Sequence, residues 1–508
     1  MLESPFLQRL MKCGVNRTSL SQLCSPLVEA FDGVVVSSPE VAITGLSGDS
    51  RKIRPGDLFV ASTGSKVDGL GYVHDALQRG ASAILADRRP VDLPASVGFV
   101  GVPDVAAAKP LVADRFFGHP SGRLSVVGIT GTNGKTTTAS ILRSMLEMDG
   151  RSCGVIGTLG AWIGRSHEKL ANTTPDAIEV QRLLARMVDE NLSTVVMEVS
   201  SHALMQHRVD SVDFDVGVFT NLSQDHLDYH GTMAAYAEAK GRLFSGLLPG
   251  SHAVLNADDP LAEAYARRTL ATVVSYGLRR AGDVTAEIRR LDADGTAFHL
   301  LWPDRSLRLA VSSRLVGRHN VENALAAGTT GLLLGLSPTA VSTGLGALNA
   351  VPGRLQPVDC GQDFRVLVDY AHTPDALEKV LSVLRPLTRG RLRVVFGCGG
   401  DRDRTKRPIM GEIVGRLADD LYVTSDNPRG EEPGAILDDI LAGVPGGARG
   451  NAVSLVDRRD AIAAACREAE GGDVVLVAGK GHETTQTIGG QVLPFDDSHV
   501  AREVLWTL

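Results

Sequence analysis

The run Val126-Val127-Gly128-Ile129-Thr130-Gly131-Thr132-Asn133-Gly134-Lys135-Thr136-Thr137-Thr138 carries the densest chemistry in the chain. An apolar strand pattern enters a glycine-rich turn, and a helical pattern leaves it. Glycines let backbone N–H groups approach a phosphate closely, and a helix N-terminus favours negative charge. Lys135 is spaced to reach terminal phosphates, and the Thr136 hydroxyl to help hold Mg²⁺. The general phosphate-loop pattern wants a glycine where Ile129 stands, so this is a shortened variant. A glycine-rich turn with no nucleotide is the bland alternative, and the strand–loop–helix context argues against it.

Further polar groups sit at the ends of apolar runs. Glu198, in Met197-Glu198-Val199-Ser200-Ser201-His202, closes a buried-strand pattern. Ligand sites of open α/β sheets lie at the carboxyl ends of strands, and a carboxylate there suits a hard cation. Asn221-Leu222-Ser223-Gln224-Asp225-His226 follows the next strand pattern. Lys240, in Tyr236-Ala237-Glu238-Ala239-Lys240, reads by itself as a solvated surface lysine. Asn320 fits a helix N-cap before Val321-Glu322-Asn323. Arg354 lies in a Pro352-Gly353-Arg354 hinge and Asp369 at a strand end; alone they read as a linker arginine and a turn former. Asp426-Asn427-Pro428-Arg429 alone is a good turn.

The elements that must position these groups form an α/β chain. At 508 residues the length implies about three domains of roughly 100–200 residues. Strand patterns over 58–62, 83–86 and 98–102 with a helical stretch at 73–78 predict a small α/β domain ending near Gly122, after a loosely structured lead-in over residues 1–25. A second region, 123–352, has strands over 124–129, 194–199, 216–220 and 253–256, and a helix from Thr136 to Met148. Two alternating runs around Asp292–Gly295 predict a hairpin, and a helix from Asn320 to Leu334 closes the domain. The third, 353–508, repeats strand patterns at 366–369, 393–396, 420–424 and 474–478, as in a Rossmann-like sheet.

Composition excludes several classes. Net charge is −7, against a general nucleic-acid binder. The six cysteines are scattered without a C-x-x-C pair, as expected of reduced thiols in a cytoplasmic protein. No apolar run is long enough for a transmembrane helix, and the first ten residues do not read as a signal peptide.

The T-G-T-N-G-K-T loop resembles that of the Mur ligase family, which also includes folylpolyglutamate synthetases. The resemblance implies three α/β domains: a small N-terminal nucleotide-substrate domain, a central P-loop ATPase-like domain and a C-terminal Rossmann-like domain. It also implies a carboxylate phosphorylated by ATP and then attacked by an amine. Gly131, Thr132, Asn133, Gly134, Lys135, Thr136, Thr137, Asn320, Asn323, Arg354 and Asp369 would then bind ATP. Thr136, Glu198 and His226 would hold magnesium, and Lys240 would be carbamylated beside it. Lys135, Glu198, His226, Lys240 and Arg354 would be the catalytic set.

Within the family, Asn172-Thr173-Thr174-Pro175, Gln206-His207-Arg208 and Asp49-Ser50-Arg51 resemble the members that add the third peptide residue to UDP-N-acetylmuramoyl-L-alanyl-D-glutamate. Ser50, Asn172, Thr173, Thr174, Ser200, Gln206 and Arg208 would bind that substrate. Asp426, Asn427, Pro428 and Arg429, with Arg402, Gly479 and Glu483, resemble a site for meso-diaminopimelate, Glu483 receiving an ammonium group. An arginine fork suits the carboxylate by which diaminopimelate differs from lysine. A monomer taking only small-molecule substrates is expected. A non-catalytic P-loop switch is the rival from another class; it would not need Glu198, His226, Arg354 and an acceptor pocket together.

Overall fold

The structure, a computed structural model, describes residues 18–63, 68–280, 282–292 and 294–508. The chain groups into two compact units, 1–282 with 329–336, and 283–328 with 337–508.

The first unit holds a five-stranded and an eight-stranded sheet, with a two-stranded antiparallel pairing of Thr18–Ser19 and Ala42–Ile43 besides. The five-stranded sheet comprises β1 (Val35–Ser37), β2 (Gly45–Ser47), β3 (Asp57–Val60), β4 (Ala83–Ala86) and β5 (Gly98–Gly101), in the order β1-β5-β4-β3-β2. All neighbours are parallel except β1 with β5. Helices α1 (Leu20–Ala30), α2 (Val73–Gln78) and α3 (Val105–Phe117) accompany it. The expected lead-in is corrected where it is described. Leu20–Ala30 is a helix with a capping box, in which the Ser19 hydroxyl accepts from Gln22 N and the Gln22 side chain from Ser19 N. Leu20, Leu23, Cys24 and Leu27 are buried in the core of this sheet, so apolar burial adds to the cap. Residues 1–17 lie outside the described residues.

The larger sheet has eight strands: β6 (Ser125–Thr130), β7 (Cys153–Gly157), β8 (Gly160–Ile163), β9 (Ser166–Glu168), β10 (Thr194–Glu198), β11 (Val216–Phe219), β12 (His252–Asn256) and β13 (Thr272–Tyr276). Their order is β9-β8-β7-β10-β6-β11-β12-β13. β7 to β13 excluding β8 and β9 run parallel with β6, and β8 and β9 form an antiparallel margin. Parallel strands covered on both faces read as continuous apolar runs, which is why they stand out in the sequence. β6 sits between β10 and β11, so the loops after these three strands emerge side by side. Six helices follow these strands in turn: α4 (Lys135–Met148), α5 (Ala177–Asp189), α6 (Ser201–Met205), α7 (Leu227–His230), α8 (Met233–Ser245) and α9 (Leu261–Ala266).

In the second unit, β14 (Thr285–Asp292), β15 (Gly295–Trp302) and β16 (Leu307–Ser313) form an antiparallel meander. The expected hairpin is thus extended by a third strand. Helix α10 (Arg318–Leu333) starts two residues before Asn320, which is therefore inside the helix and not its N-cap. The Asn320 amide instead donates to Val316 O at 2.8 Å and accepts from Asn323 Nδ2 at 3.1 Å. Helix α11 (Pro338–Ala347), capped by Ser337, follows.

The six-stranded sheet of this unit comprises β17 (Gln356–Val358), β18 (Arg365–Asp369), β19 (Leu392–Phe396), β20 (Asp420–Thr424), β21 (Ala452–Leu455) and β22 (Val474–Ala478). Its order is β17-β18-β22-β19-β20-β21, parallel apart from the edge strand β17. Helices α12 (Pro374–Leu384), α13 (Lys406–Leu417) and α14 (Pro433–Gly443) pack with one face, through Leu377, Leu381, Met410, Val414 and Ile440. Helices α15 (Arg458–Arg467) and α16 (Asp497–Leu505) pack with the other, through Ile462, Ala465, Val500 and Val504. A small hairpin of β23 (Thr485–Ile488) and β24 (Gln491–Pro494) lies between β22 and α16 in the chain. Among the described residues no helix is long and apolar enough to cross a membrane.

Candidate active site

The phosphate loop joins β6 to α4. Gly131 takes φ 146° and Gly134 φ 89°, and a Cβ on Gly131 would lie 1.9 Å from Thr220 Oγ1, so glycine is required there. The loop is clasped by the segment after β11. Thr132 N donates to Asn221 O at 2.8 Å, Asn133 N to Asn221 Oδ1 at 3.1 Å, and Thr220 Oγ1 to Asn133 O at 2.6 Å. Lys135 Nζ folds back to Gly131 O and Thr132 O at 2.8 and 2.9 Å. This holds its ammonium over the loop.

Glu198 ends β10, the neighbour of β6, and its residue is 1% exposed. Its carboxylate accepts from Thr136 Oγ1 at 2.9 Å, Thr158 N at 2.9 Å and Thr158 Oγ1 at 3.0 Å. Strand order alone thus brings Thr136 and Glu198 together, two hard oxygen donors suited to Mg²⁺. His226 is not hydrogen-bonded to them. It sits in the left-handed region at φ 53°, ahead of α7, with its ring edge-to-face on His202 at 4.8 Å and 3.5 Å from the Asp225 carboxylate. Among the described residues no three His, Cys, Asp or Glu are grouped to hold a metal.

Lys240 corrects its first reading as a surface lysine, since the residue is 1% exposed. Helix α8 carries it beneath the phosphate loop, where Nζ donates to Gly131 O at 2.9 Å and lies 4.5 Å from the Tyr236 ring centroid. Burial, then the charge of Lys135, pushes its pKa well below the usual lysine value; Asp225 opposes this. Burial of an amine favours its neutral, nucleophilic form.

A second polar network adjoins Glu198. Thr174 Oγ1 donates to Glu198 O at 2.9 Å, and Ser200 N donates to Thr174 Oγ1 at 3.0 Å. Arg208 donates to Thr174 O and to Gln206 Oε1, both at 2.6 Å, and Gln206 Nε2 reaches Tyr229 Oη at 3.1 Å. Thr173 is 3.1 Å from Thr158, oxygen to oxygen. Thr173, Thr174, Ser200, Gln206 and Arg208 are therefore one cluster beside Thr136 and Glu198. Asn172 is exposed in the preceding turn, and Ser50 is buried in the small sheet's own loop, behind its capping Asp49.

In the second unit, the loops after β20 and β22 interlock. Asn427 Nδ2 donates to Glu483 Oε2 at 2.9 Å, and Asn427 Oδ1 accepts from Thr487 N at 3.0 Å. Arg429 takes φ 53° and donates from Nη1 to Gly400 O at 2.7 Å. Arg402 is exposed on the neighbouring loop, and Pro428 is buried. Gly479, at φ 115°, allows close approach to Asp426, whose buried Oδ2 has no hydrogen-bond partner among the described residues. Glu483 Oε2 also accepts from Lys480 Nζ at 3.0 Å. Asp369 accepts from Leu355 N and Ala371 N at 2.7 and 2.8 Å. Burial raises its pKa and Arg354 opposes that, while the Arg354 guanidinium lies 5.1 Å over the Tyr370 ring.

Reasoning from sequence missed Asn221, Thr158 and Lys480. Asn221 stands in a segment the sequence did single out, and Lys480 in the Gly-Lys-Gly-His-Glu run; Thr158 has no motif around it.

Known proteins bear on this geometry. Residues 42–111 match "Mur ligase family, catalytic domain", residues 129–331 "Mur ligase middle domain" and residues 353–481 "Mur ligase, glutamate ligase domain". A UDP-N-acetylmuramoyl-L-alanyl-D-glutamate–2,6-diaminopimelate ligase of Geobacillus thermodenitrificans is 47% identical, over 91% of this chain and 94% of its own. One from Geobacillus kaustophilus is 48% identical, with the same coverage. A solved structure of a UDP-N-acetylmuramoyl-L-alanyl-D-glutamate–2,6-diaminopimelate ligase aligns with TM-score 0.68 and 33% identity, covering 97% of this chain and 99% of that one.

Proposed function

The chain belongs to the Mur ligase family, and from that premise we propose that it is a cytoplasmic, ATP-dependent ligase. In this reading it adds meso-2,6-diaminopimelate to UDP-N-acetylmuramoyl-L-alanyl-D-glutamate in peptidoglycan synthesis, releasing ADP and phosphate. The observation that carries the reading is the junction of the Gly131–Thr137 loop with Glu198. That junction couples a phosphate cradle to a hard-cation donor pair and to the Thr174–Arg208 cluster.

Thr136, Glu198 and His226 would hold the magnesium, which supplies charge neutralisation on the nucleotide phosphates. Lys135, tethered over the loop, offsets the charge that develops as the γ-phosphoryl group leaves ATP. Arg208 and its partners hold the D-glutamate side chain so that its γ-carboxylate meets that phosphoryl group, forming an acyl phosphate. Arg208 is suited to this because a guanidinium binds carboxylate through charge-assisted hydrogen bonds. The free amine of diaminopimelate, held by Arg402, Asp426, Asn427, Arg429 and Glu483, then attacks the acyl carbon and expels phosphate. Asn320, Asn323, Arg354 and Asp369 are assigned to ATP, and Ser50 to the UDP moiety, on the family resemblance. Lys240 in this scheme is carbamylated, and the depressed basicity imposed by its burial supports that assignment.

Phosphate release tests the reading, with ATP, magnesium and the UDP-dipeptide, in the presence of meso-diaminopimelate, of L-lysine or of no amine, and with products weighed by mass spectrometry. Tripeptide formed with diaminopimelate and not with lysine is expected. Equal turnover of lysine would sink the acceptor assignment while leaving the ligase. No product with either would return the chain to another activity of the family.

A further inference from the structure

Resting on the acceptor-site reading above, we propose that Lys480 is a positioning residue of the acceptor pocket, locking Glu483 and Asn427 into one receptive geometry. Lys480 has no exposed surface, and a buried ammonium is costly unless it is paired. Its two partners both belong to the pocket. Nζ donates to Glu483 Oε2 at 3.0 Å and to Asn427 Oδ1 at 3.3 Å.

The contacts close a ring. Asn427 Oδ1 also accepts from Thr487 N, which fixes its amide so that Nδ2 points at Glu483 Oε2. Oε2 of Glu483 is thereby engaged twice, while among the described residues Oε1 has no protein hydrogen bond and the side chain is 34% exposed. One carboxylate oxygen is held by the protein and the other is offered outward, to a substrate ammonium group. The two loops that Lys480 joins follow β20 and β22, which are separated in the sheet by β19. They are tied again from beneath by Arg458, which donates to Ser425 O at 3.4 Å and Ala478 O at 2.9 Å while ion-pairing with buried Asp497. Arg458 fixes the loop backbones, and Lys480 fixes the side chains that project from them.

The test is a double-mutant cycle on the full-length protein with Lys480→Met, Glu483→Gln and the double variant. It is read as KM for the amino acid, ATP and UDP-dipeptide separately, with kcat and melting temperature. The amino acid used is whichever one the wild type ligates. A wrong acceptor assignment therefore shows in the wild type, and a wrong role for Lys480 shows only in the variants. Lys480→Met is expected to raise KM for the amino acid about tenfold to a hundredfold, the scale of a lost hydrogen bond to a charged group. KM for ATP and for the UDP-dipeptide should stay within about twofold. The double variant should be no worse than Glu483→Gln alone, because groups acting through one another are non-additive. Additive effects, or a parallel rise in all three KM values, would overturn the proposal. Lys480→Gln, which keeps a donor, replaces Lys480→Met if the latter does not fold, and the same criteria apply.

Discussion

Lys240 shows how burial turns a common side chain into a reactive one. Its amine sits under the phosphate loop, bonded to Gly131 O, with Lys135 as its charged neighbour. Arginine at this position keeps a positive charge that cannot be removed, and it has no primary amine to carbamylate. Lys240→Arg is expected to lower kcat at least about a hundredfold, the scale of losing one preorganised charge-stabilising group. Intact mass would show the carbamyl adduct on the wild type and not on the variant. A variant with full activity would remove Lys240 from the mechanism.

At the scale of elements, Glu431 holds the loop that carries Arg402 against the turn that carries Arg429. It accepts from Asp401 N at 2.6 Å and pairs with Arg407 at 2.9 Å and Arg404 at 2.7 Å. The Arg407 hydrogen bond, then the Asp401 N–H, lowers its pKa from 4.5 to about 2. A carboxylate depressed on folding contributes stability that is complete above its unfolded pKa and is lost as pH falls through the folded one. The gap in urea midpoint between wild type and Glu431→Gln should therefore be constant above pH 4.5 and narrow as pH falls toward 2. A gap that widens on acidification would contradict this. Such loop clamps were not legible in the sequence, whereas the strands beneath them were. β6, β10, β11, β20 and β22 are covered on both faces and read as unbroken apolar runs. The phosphate loop was legible because its glycines and Lys135 are contiguous. Helix α1 was missed although Ser19 and Gln22 spell a capping box. Strand β16 was missed because an alternating strand of this length is a weak signal. The burial of Lys240 and Lys480 could not be read, because each is enclosed by residues far away in the chain.

For the molecule as a whole, the phosphate loop, Glu198, His226 and the groups assigned to the UDP-dipeptide lie in the first unit, while Asn320, Asn323, Arg354 and Asp369, assigned to ATP, lie in the second. The groups assigned to the amino acid also lie in the second. Substitutions should then segregate by substrate. Arg429 is the sharpest case. Its Nη1 is spent on Gly400 O, and among the described residues its Nε and Nη2 make no protein hydrogen bond, which leaves an edge for a carboxylate. Lysine as acceptor has no second carboxylate to place there. Arg429→Ala should raise KM for meso-diaminopimelate by about ten- to a hundredfold, equivalent to about 1.5–3 kcal/mol for a hydrogen bond to a charged group. KM for ATP and for the UDP-dipeptide should hold, and turnover of L-lysine should be no lower than in the wild type, because discrimination is a difference between two affinities. Steady-state kinetics with each substrate varied in turn checks all of these together. A loss shared equally by diaminopimelate and lysine would mean that Arg429 supports the fold of its loop rather than the choice of acceptor.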